Sequence, residues 1–229
     1  MKVQRPFAFK ILGVKTIVYV DGFNLYYCAL RNSKHKWLNL LALCGAALPK
    51  TCDIAALKYY KARVSARRNP SSPKDQNSYL TALATLPNVQ VYFGRFQVTD
   101  KSMFLVQPME FLPPGPTPYP TPEFVRVVKT EEKGSDVNLG VHLVRDALKG
   151  AFEHAAIVTN DTDLREPLRI VVEEAKLPVT LLTPVVHPSS DLQKLATHIR
   201  HLGPYLGVSQ FPDPVIAPDG KSIPKPIDW

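Results

Sequence analysis

The chain has 229 residues, 45% of them hydrophobic and 21% charged, a balance that suits one α/β domain or two small ones and excludes a wholly disordered chain. Its formal net charge of +8 favours an anionic partner, nucleic acid first and an acidic membrane surface second. No apolar run reaches the roughly 18 residues of a membrane span. Met1 to Lys15 lacks a signal-peptide core, and Cys28, Cys44 and Cys52 lack zinc spacing, so they read as reduced thiols of a cytoplasmic protein.

Thr16-Ile17-Val18-Tyr19-Val20 is β-branched and apolar, the pattern of a parallel strand buried on both faces. It ends in Asp21-Gly22-Phe23-Asn24, where the carboxylate is either a helix N-cap or a functional acid at a strand end. Trp37 to Leu43 carries an apolar face that Pro49 stops, and a second strand is expected over Leu57 to Ser65. Between positions 58 and 74 the chain has six basic residues (Lys58, Lys61, Arg63, Arg67, Arg68 and Lys74) and no acid. With Tyr60 and its tyrosine neighbours, this stretch is either a basic groove for a single nucleic-acid strand or a solvated charge run.

Lys74 to Leu86 reads as a helix and Asn88 to Val98 as the next strand. Seven prolines between 108 and 122 exclude a helix or an inner strand and read as an inserted loop or flap. From Asp136 to Lys149, Val137, Val141, Val144 and Leu148 fall at helical spacing, with Asp136 in the first turn. Ala155 to Val158 reads as a buried strand, followed at once by Thr159-Asn160-Asp161-Thr162-Asp163 and a helix from Leu164 to Lys176. Pro178 to Thr183 is the last expected strand, and Pro188 to Asp191 caps a helix expected to run to about Leu202. The remainder, residues 204–229, is proline-rich and expected as an extended tail after a domain spanning 1–203.

Alternating strands and helices imply an α/β fold with a doubly wound, mainly parallel sheet. In such a sheet ligands sit at the carboxyl ends of the strands, which is where Asp21, Asp161 and Asp163 fall and where a helix can deliver Asp136. Several carboxylates packed together repel, so their staying ionised implies a cation. Oxygen donors without His or Cys suit Mg2+ or Mn2+, which would activate water and clamp phosphate oxygens. Glu131 and Glu132 are either further ligands or solvated acids, and His142 and His154 read as packing or surface residues. A phosphoacceptor domain would also gather acids at strand ends, but Asp21-Gly22 lacks the adjacent acid pair it needs.

Three stretches carry a resemblance. Val18-Tyr19-Val20-Asp21-Gly22-Phe23-Asn24-Leu25-Tyr26-Tyr27 resembles the opening motif of NYN-domain proteins, relatives of the PIN-domain ribonucleases. Glu132-Lys133-Gly134-Ser135-Asp136-Val137 is similar to that family's second motif. Val158-Thr159-Asn160-Asp161-Thr162-Asp163 resembles its third, which usually reads Ser-Gly-Asp-Ser-Asp-Phe, so that Asn160 stands in place of Gly and Leu164 in place of Phe. The resemblance spans about 16–200 and implies a PIN-like three-layer α/β/α sandwich and a metal-dependent endoribonuclease. On the matching positions it implies an acidic cluster of Asp21, Asp136, Asp161 and Asp163 holding the metal, Asn24 orienting the first motif and Thr159 supporting the metal or its water. The proline-rich insertion departs from the common pattern. The expected partner is single-stranded or structured RNA, gripped by Lys58, Lys61, Arg63, Arg67, Arg68 and Tyr60. The proline-rich loop and tail are surfaces for a second copy or a protein partner. The alternative is an inactive RNA-binding or adaptor protein on the same fold.

Overall fold

The computed structural model describes residues 13–64, 70–106, 110, 114–116, 119–227 and 229. β1 (Val14–Asp21) runs into a short helix α1 (Gly22–Leu25) that continues as a π-helical turn over Tyr26–Leu30. Then come α2 (Leu40–Ala47), β2 (Cys52–Ala62), α3 (Ser72–Ala84), β3 (Val89–Phe104) and β4 (Phe124–Lys133). α4 (Ser135–Leu148) leads to β5 (His154–Val158). A 3-10 turn at Thr162–Leu164 precedes α5 (Arg165–Arg169) and a second π-helical turn, Ile170–Glu174. β6 (Val179–Thr183), α6 (Ser190–Leu195), β7 (His198–His201) and a small ribbon of β8 (Val215–Ile216) and β9 (Ser222–Ile223) complete the chain.

Seven strands form one sheet in the order β4-β3-β2-β1-β5-β6-β7, parallel throughout except for β4. Helices cover both faces, giving a three-layer α/β/α sandwich. The period-two alternation of a strand divides the core between them. Val18 and Val20 of β1 face a cluster with Leu40, Leu43 and Leu83 of α2 and α3. Ile17 and Tyr19 face the opposite cluster, with Leu139 and Leu143 of α4 and Leu168 of α5. β1 and β5, buried on both faces, are the apolar runs that the sequence marks as strands.

Several elements differ from the sequence expectation, among them β3, which runs six residues past Val98 to Phe104. The helix expected to run to about Leu202 stops at Leu195, because the open edge of β6 takes His198–His201 as a parallel strand. The Thr197 hydroxyl accepts a hydrogen bond from the Val179 amide (3.1 Å) and fixes that junction. On α4 most of the predicted apolar stripe faces outward: Val137, Val141 and Leu148 are exposed while Val144 is half-buried, and the buried stripe is Leu139, Leu143 and Ala147. Gly140 sets that rotation, since a Cβ there would lie 2.8 Å from Pro167 Cγ of α5. β2 begins five residues earlier than expected, at Cys52, and ends at Ala62. The segment from Leu164 is a succession of 3-10, α and π turns in place of one helix.

Residues beyond Gly203 pack onto the sandwich. Phe211, Val215 and Ile223 are buried in the same cluster as Trp37, whose Nε1 donates to the Pro212 carbonyl (2.9 Å). The Trp229 ring lies 5.5 Å from that of Tyr79. The expected flap lies partly outside the described residues, between the ends of the β3–β4 hairpin. Cys28, Cys44 and Cys52 are free thiols, and among the described residues no helix is long and apolar enough to cross a membrane.

One charged group is built into the core. Asp146 of α4 pairs with Lys58 of β2, both buried, and accepts from Tyr19 Oη (2.6 Å) and Arg145 (2.9 Å). Burial alone would raise this carboxyl, but the bonds from Lys58, Tyr19 and Arg145 outweigh it and hold it below its ordinary value. Asp146→Ala leaves the Lys58 ammonium buried and unpaired, and should destabilise the protein by about 3–5 kcal/mol in urea unfolding. Lys58→Met should cost much less, because Asp146 keeps Arg145 and Tyr19. Equal losses in the two variants would refute this account.

Candidate metal centre

The strand register levels four pieces of chain at one end of the sheet. Asp21 pairs across β2 with Tyr60, which pairs with Tyr92 of β3. Two and three residues on, Gly94 lies opposite Ala62 and Arg95 opposite Lys133 of β4. Being antiparallel, β4 returns the chain to this level, so α4 starts here and presents Asp136 in its first turn. Gly134 makes the entry, with φ of +94°, a conformation that a side chain disfavours. On the other side β5 ends beside β1, and Thr159 to Asp163 follow. Strand order reverses between β1 and β5, the position at which open α/β sheets bind ligands.

Asp21, Asp136 and Asp161 converge there, with one carboxylate oxygen from each within 4.8 Å of the others. Asp21 is buried and fills the N-cap role. It caps α1, its Oδ1 accepting from the Asn24 amide (2.9 Å), and its Oδ2 accepts from Thr159 Oγ1 (3.1 Å). Thr159 Oγ1 in turn accepts from the Asp161 amide (3.0 Å). Asn24 Oδ1 accepts from the Asn160 amide (2.8 Å), so α1 and the loop after β5 are laced together. Gly22 permits this corner: a Cβ there would lie 2.6 Å from the Tyr60 carbonyl oxygen and from the Tyr59 ring.

The electrostatics are those of acids held against their preference. Burial pushes Asp21 up to about 7, and the charges of Asp136 and Asp161 add to that, while the bonds from Asn24 and Thr159 pull it back. Asp136 rises to about 6, through burial first and then Glu132, Asp161 and Asp163. Three hard oxygen donors with no His or Cys among them fit Mg2+ or Mn2+. A divalent cation would relieve the repulsion that raises two of the three.

The remaining predicted residues fall in different places. Asp163 is exposed and stands beside Asp136, outside the group of three, with its amide donating to Asp161 Oδ1 (3.0 Å). Glu132 caps α4 through the Ser135 amide (3.1 Å) and neighbours Asp136. Glu131 is held by Lys129, Lys101 and Lys133. His142 bonds the Tyr60 hydroxyl (3.0 Å), and His154 is buried between Thr16 and Thr180, so neither serves the acids. The expected basic groove is corrected by burial. Lys58 is spent on Asp146, and Tyr60 is sealed in the core. Lys61 is buried with its ammonium 5.5 Å from the Tyr26 ring centre, and burial lowers it to about 8. Arg63 is exposed over Phe93, while Arg67 and Arg68 lie outside the described residues.

Sequence reasoning missed three contributors. Asn160 Oδ1 accepts from the Ser189 amide (2.8 Å), tying the start of α6 to the site. Phe23 and Tyr27 line the same pocket as the three carboxylates. Their spacing of four within a helical segment was the available signal.

No protein-family model matches the chain. Among solved structures it is similar to VPA0982 of Vibrio parahaemolyticus RIMD 2210633, a protein of unknown function. The two are 14% identical, over 83% of this chain and 93% of that one, with a TM-score of 0.49, too low to carry an argument. The 6-hydroxy-3-succinoylpyridine 3-monooxygenase HspA of Pseudomonas putida (strain DSM 28022 / S16) is 30% identical over an alignment of length 241 that covers 94% of this chain and 75% of that enzyme. At that identity and coverage, the chain belongs to the family of HspA.

Proposed function

We propose that the protein is an NYN-type, metal-dependent endoribonuclease that hydrolyses RNA phosphodiester bonds. The observation that carries this reading is the convergence of Asp21, Asp136 and Asp161 at the sheet's switch point. These three residues would hold Mg2+ or Mn2+, which supplies a water of lowered pKa and charge neutralisation at the phosphate. Asp163, beside Asp136, would act through water or orient the nucleophile. Thr159 and Asn24 keep Asp21 and Asp161 in register, and the net charge of +8 suits a polyanionic substrate.

A second reading comes from HspA, named as a monooxygenase of a hydroxylated pyridine. The pocket has aromatic walls in Phe23 and Tyr27 that could take such a ring. The donor set favours the first reading: oxygen-activating non-haem iron sites use two His and one carboxylate, and among the described residues no His borders these acids. An inactive RNA-binding protein would have no use for acids beside bound phosphates.

End-labelled single-stranded and structured RNAs, incubated with Mn2+, Mg2+ or EDTA, should be cut only with metal. Asp161→Asn should reduce cutting to background with an unchanged circular dichroism spectrum. Asn24→Ala, which loosens the supporting bonds, should lose about 10–100-fold. Wild-type activity in Asp161→Asn would end the nuclease reading. Consumption of a hydroxypyridine with reductant and oxygen would install the second.

The raised acids set a further expectation. A carboxyl raised from about 3.9 unfolded binds more protons in the folded state, so stability falls as pH rises between that value and the folded one. For Asp21 and Asp136 the window ends at about 7 and about 6. Metal-free protein should therefore lose thermal stability from pH 4 to 7 more steeply than Asp21→Asn does. Added Mn2+ should raise the melting temperature more at pH 7.5 than at pH 5, since it binds the ionised acids. A metal effect independent of pH would contradict this.

A further inference from the structure

The second wall of the acidic pocket has a task that the carboxylates do not explain. Phe23, Tyr27 and Arg31 stand four residues apart along the helical segment after β1 and form a column. The Phe23 and Tyr27 rings are near-parallel at 16°, with centroids 6.2 Å apart. The Arg31 guanidinium lies 5.5 Å from the Tyr27 centroid. The column is braced from outside: Phe96 of β3 meets Phe23 edge-on at 5.6 Å, and Tyr26 meets Tyr27 edge-on at 5.4 Å. The π-helical turn falls at Tyr26–Leu30, and such turns cluster at functional sites.

Tyr27 is 58% exposed although it lines the pocket with Asp21, Asp136 and Asp161. Arg31 is exposed and makes no ion pair among the described residues. One pocket thus offers an acidic floor, an exposed aromatic ring and, over that ring, a cation with no ion pair among the described residues. A nucleotide has the complementary parts: a phosphate that a metal on the carboxylates would hold, a planar base for the ring, and a further phosphate for the guanidinium.

We infer that Tyr27, backed by Phe23 and flanked by Arg31, is a stacking subsite for an unpaired nucleobase next to the scissile phosphate. The assignment rests on the ribonuclease reading and narrows its substrate to single strands. A base inside a duplex is stacked on its neighbours and cannot meet the ring. Because every base has a π-face, the subsite selects single-strandedness rather than sequence.

The test uses wild-type protein in EDTA, titrated with a single-stranded oligonucleotide carrying 2-aminopurine at one position, whose fluorescence falls on stacking. Binding should quench the probe. Tyr27→Phe should keep the quench, and Tyr27→Leu should lose it and bind about tenfold more weakly. Duplex carrying the same probe should show neither effect. With Mn2+, Tyr27→Leu should raise KM about tenfold at little change in kcat, and a substrate abasic at the stacked position should show the same loss in wild type but no further loss in Tyr27→Leu. Binding without quenching, equal binding by Tyr27→Leu, or quenching of duplex would overturn the subsite. So would a free hydroxypyridine that binds Tyr27 while the oligonucleotide goes unquenched, which would assign the ring to a small molecule. Quenching without any metal-dependent cutting would keep the subsite and defeat the ribonuclease reading, so the two fail separately.

Discussion

An acid buried at the end of a strand, with two more acids for neighbours, is the constraint around which this molecule is arranged. Burial is the largest push on the Asp21 carboxyl, and the charges of Asp136 and Asp161, each with an oxygen within 4.8 Å, add to it. The two hydrogen bonds that Asp21 accepts return about 1.5–3 kcal/mol each, because they reach a charged group. Against two repulsions and burial, that is too little to keep the carboxyl at its ordinary value, and it stands near 7. Near neutral pH Asp21 is therefore poised to hold a proton, which a cation at the proposed site would displace. This ties the raised acids, the Thr159 and Asn24 bonds and the oxygen-only donor set into one device.

The sheet's topology delivers the acids, and the one antiparallel strand is central to it. All other strands run toward the site, so a helix following any of them leaves from the site end with its next strand waiting at the opposite end. β3 overshoots the level of Asp21 by many residues, and β4 brings the chain back down to it before α4 begins. The hairpin thus converts an excursion into a helix start at Asp136. Gly94 permits the close packing there, since a Cβ would lie on the Glu132 carboxylate that caps α4.

The site and the central strands were legible because their signals are local. β1 and β5 are apolar on both faces; β1 ends in Asp21, and Asp161 follows three residues after the end of β5. Elements whose fate depends on distant partners were not legible. Lys58 reads as one cation in a basic run, and only Asp146, 88 positions away, turns it into core. α4 carries two apolar stripes, Val137-Val141-Leu148 and Leu139-Leu143-Ala147, and the choice between them is made by Gly140 against Pro167 of α5. β7 is four residues long and exists because β6 offers an edge. Trp37 needs the carbonyl of Pro212, 175 positions on, so the proline-rich tail reads only as an extended segment until that partner is known.

Asn160 shows how a departure from a motif can carry structure. Where the resembled pattern has Gly, this chain has a side chain whose Oδ1 accepts from the Ser189 amide, while its own amide donates to Asn24. A glycine could supply the amide and could not supply the oxygen. The side chain therefore links three otherwise separate segments: the helical turn after β1, the loop after β5 and the entry to α6. That entry has no side-chain cap of its own, so the tie from Asn160 satisfies one of the donors a helix start leaves open. The acidic corner and the far side of the sheet are thereby joined through one amide side chain, which makes the position of the loop after β5, and with it Asp161, a property of the whole sandwich.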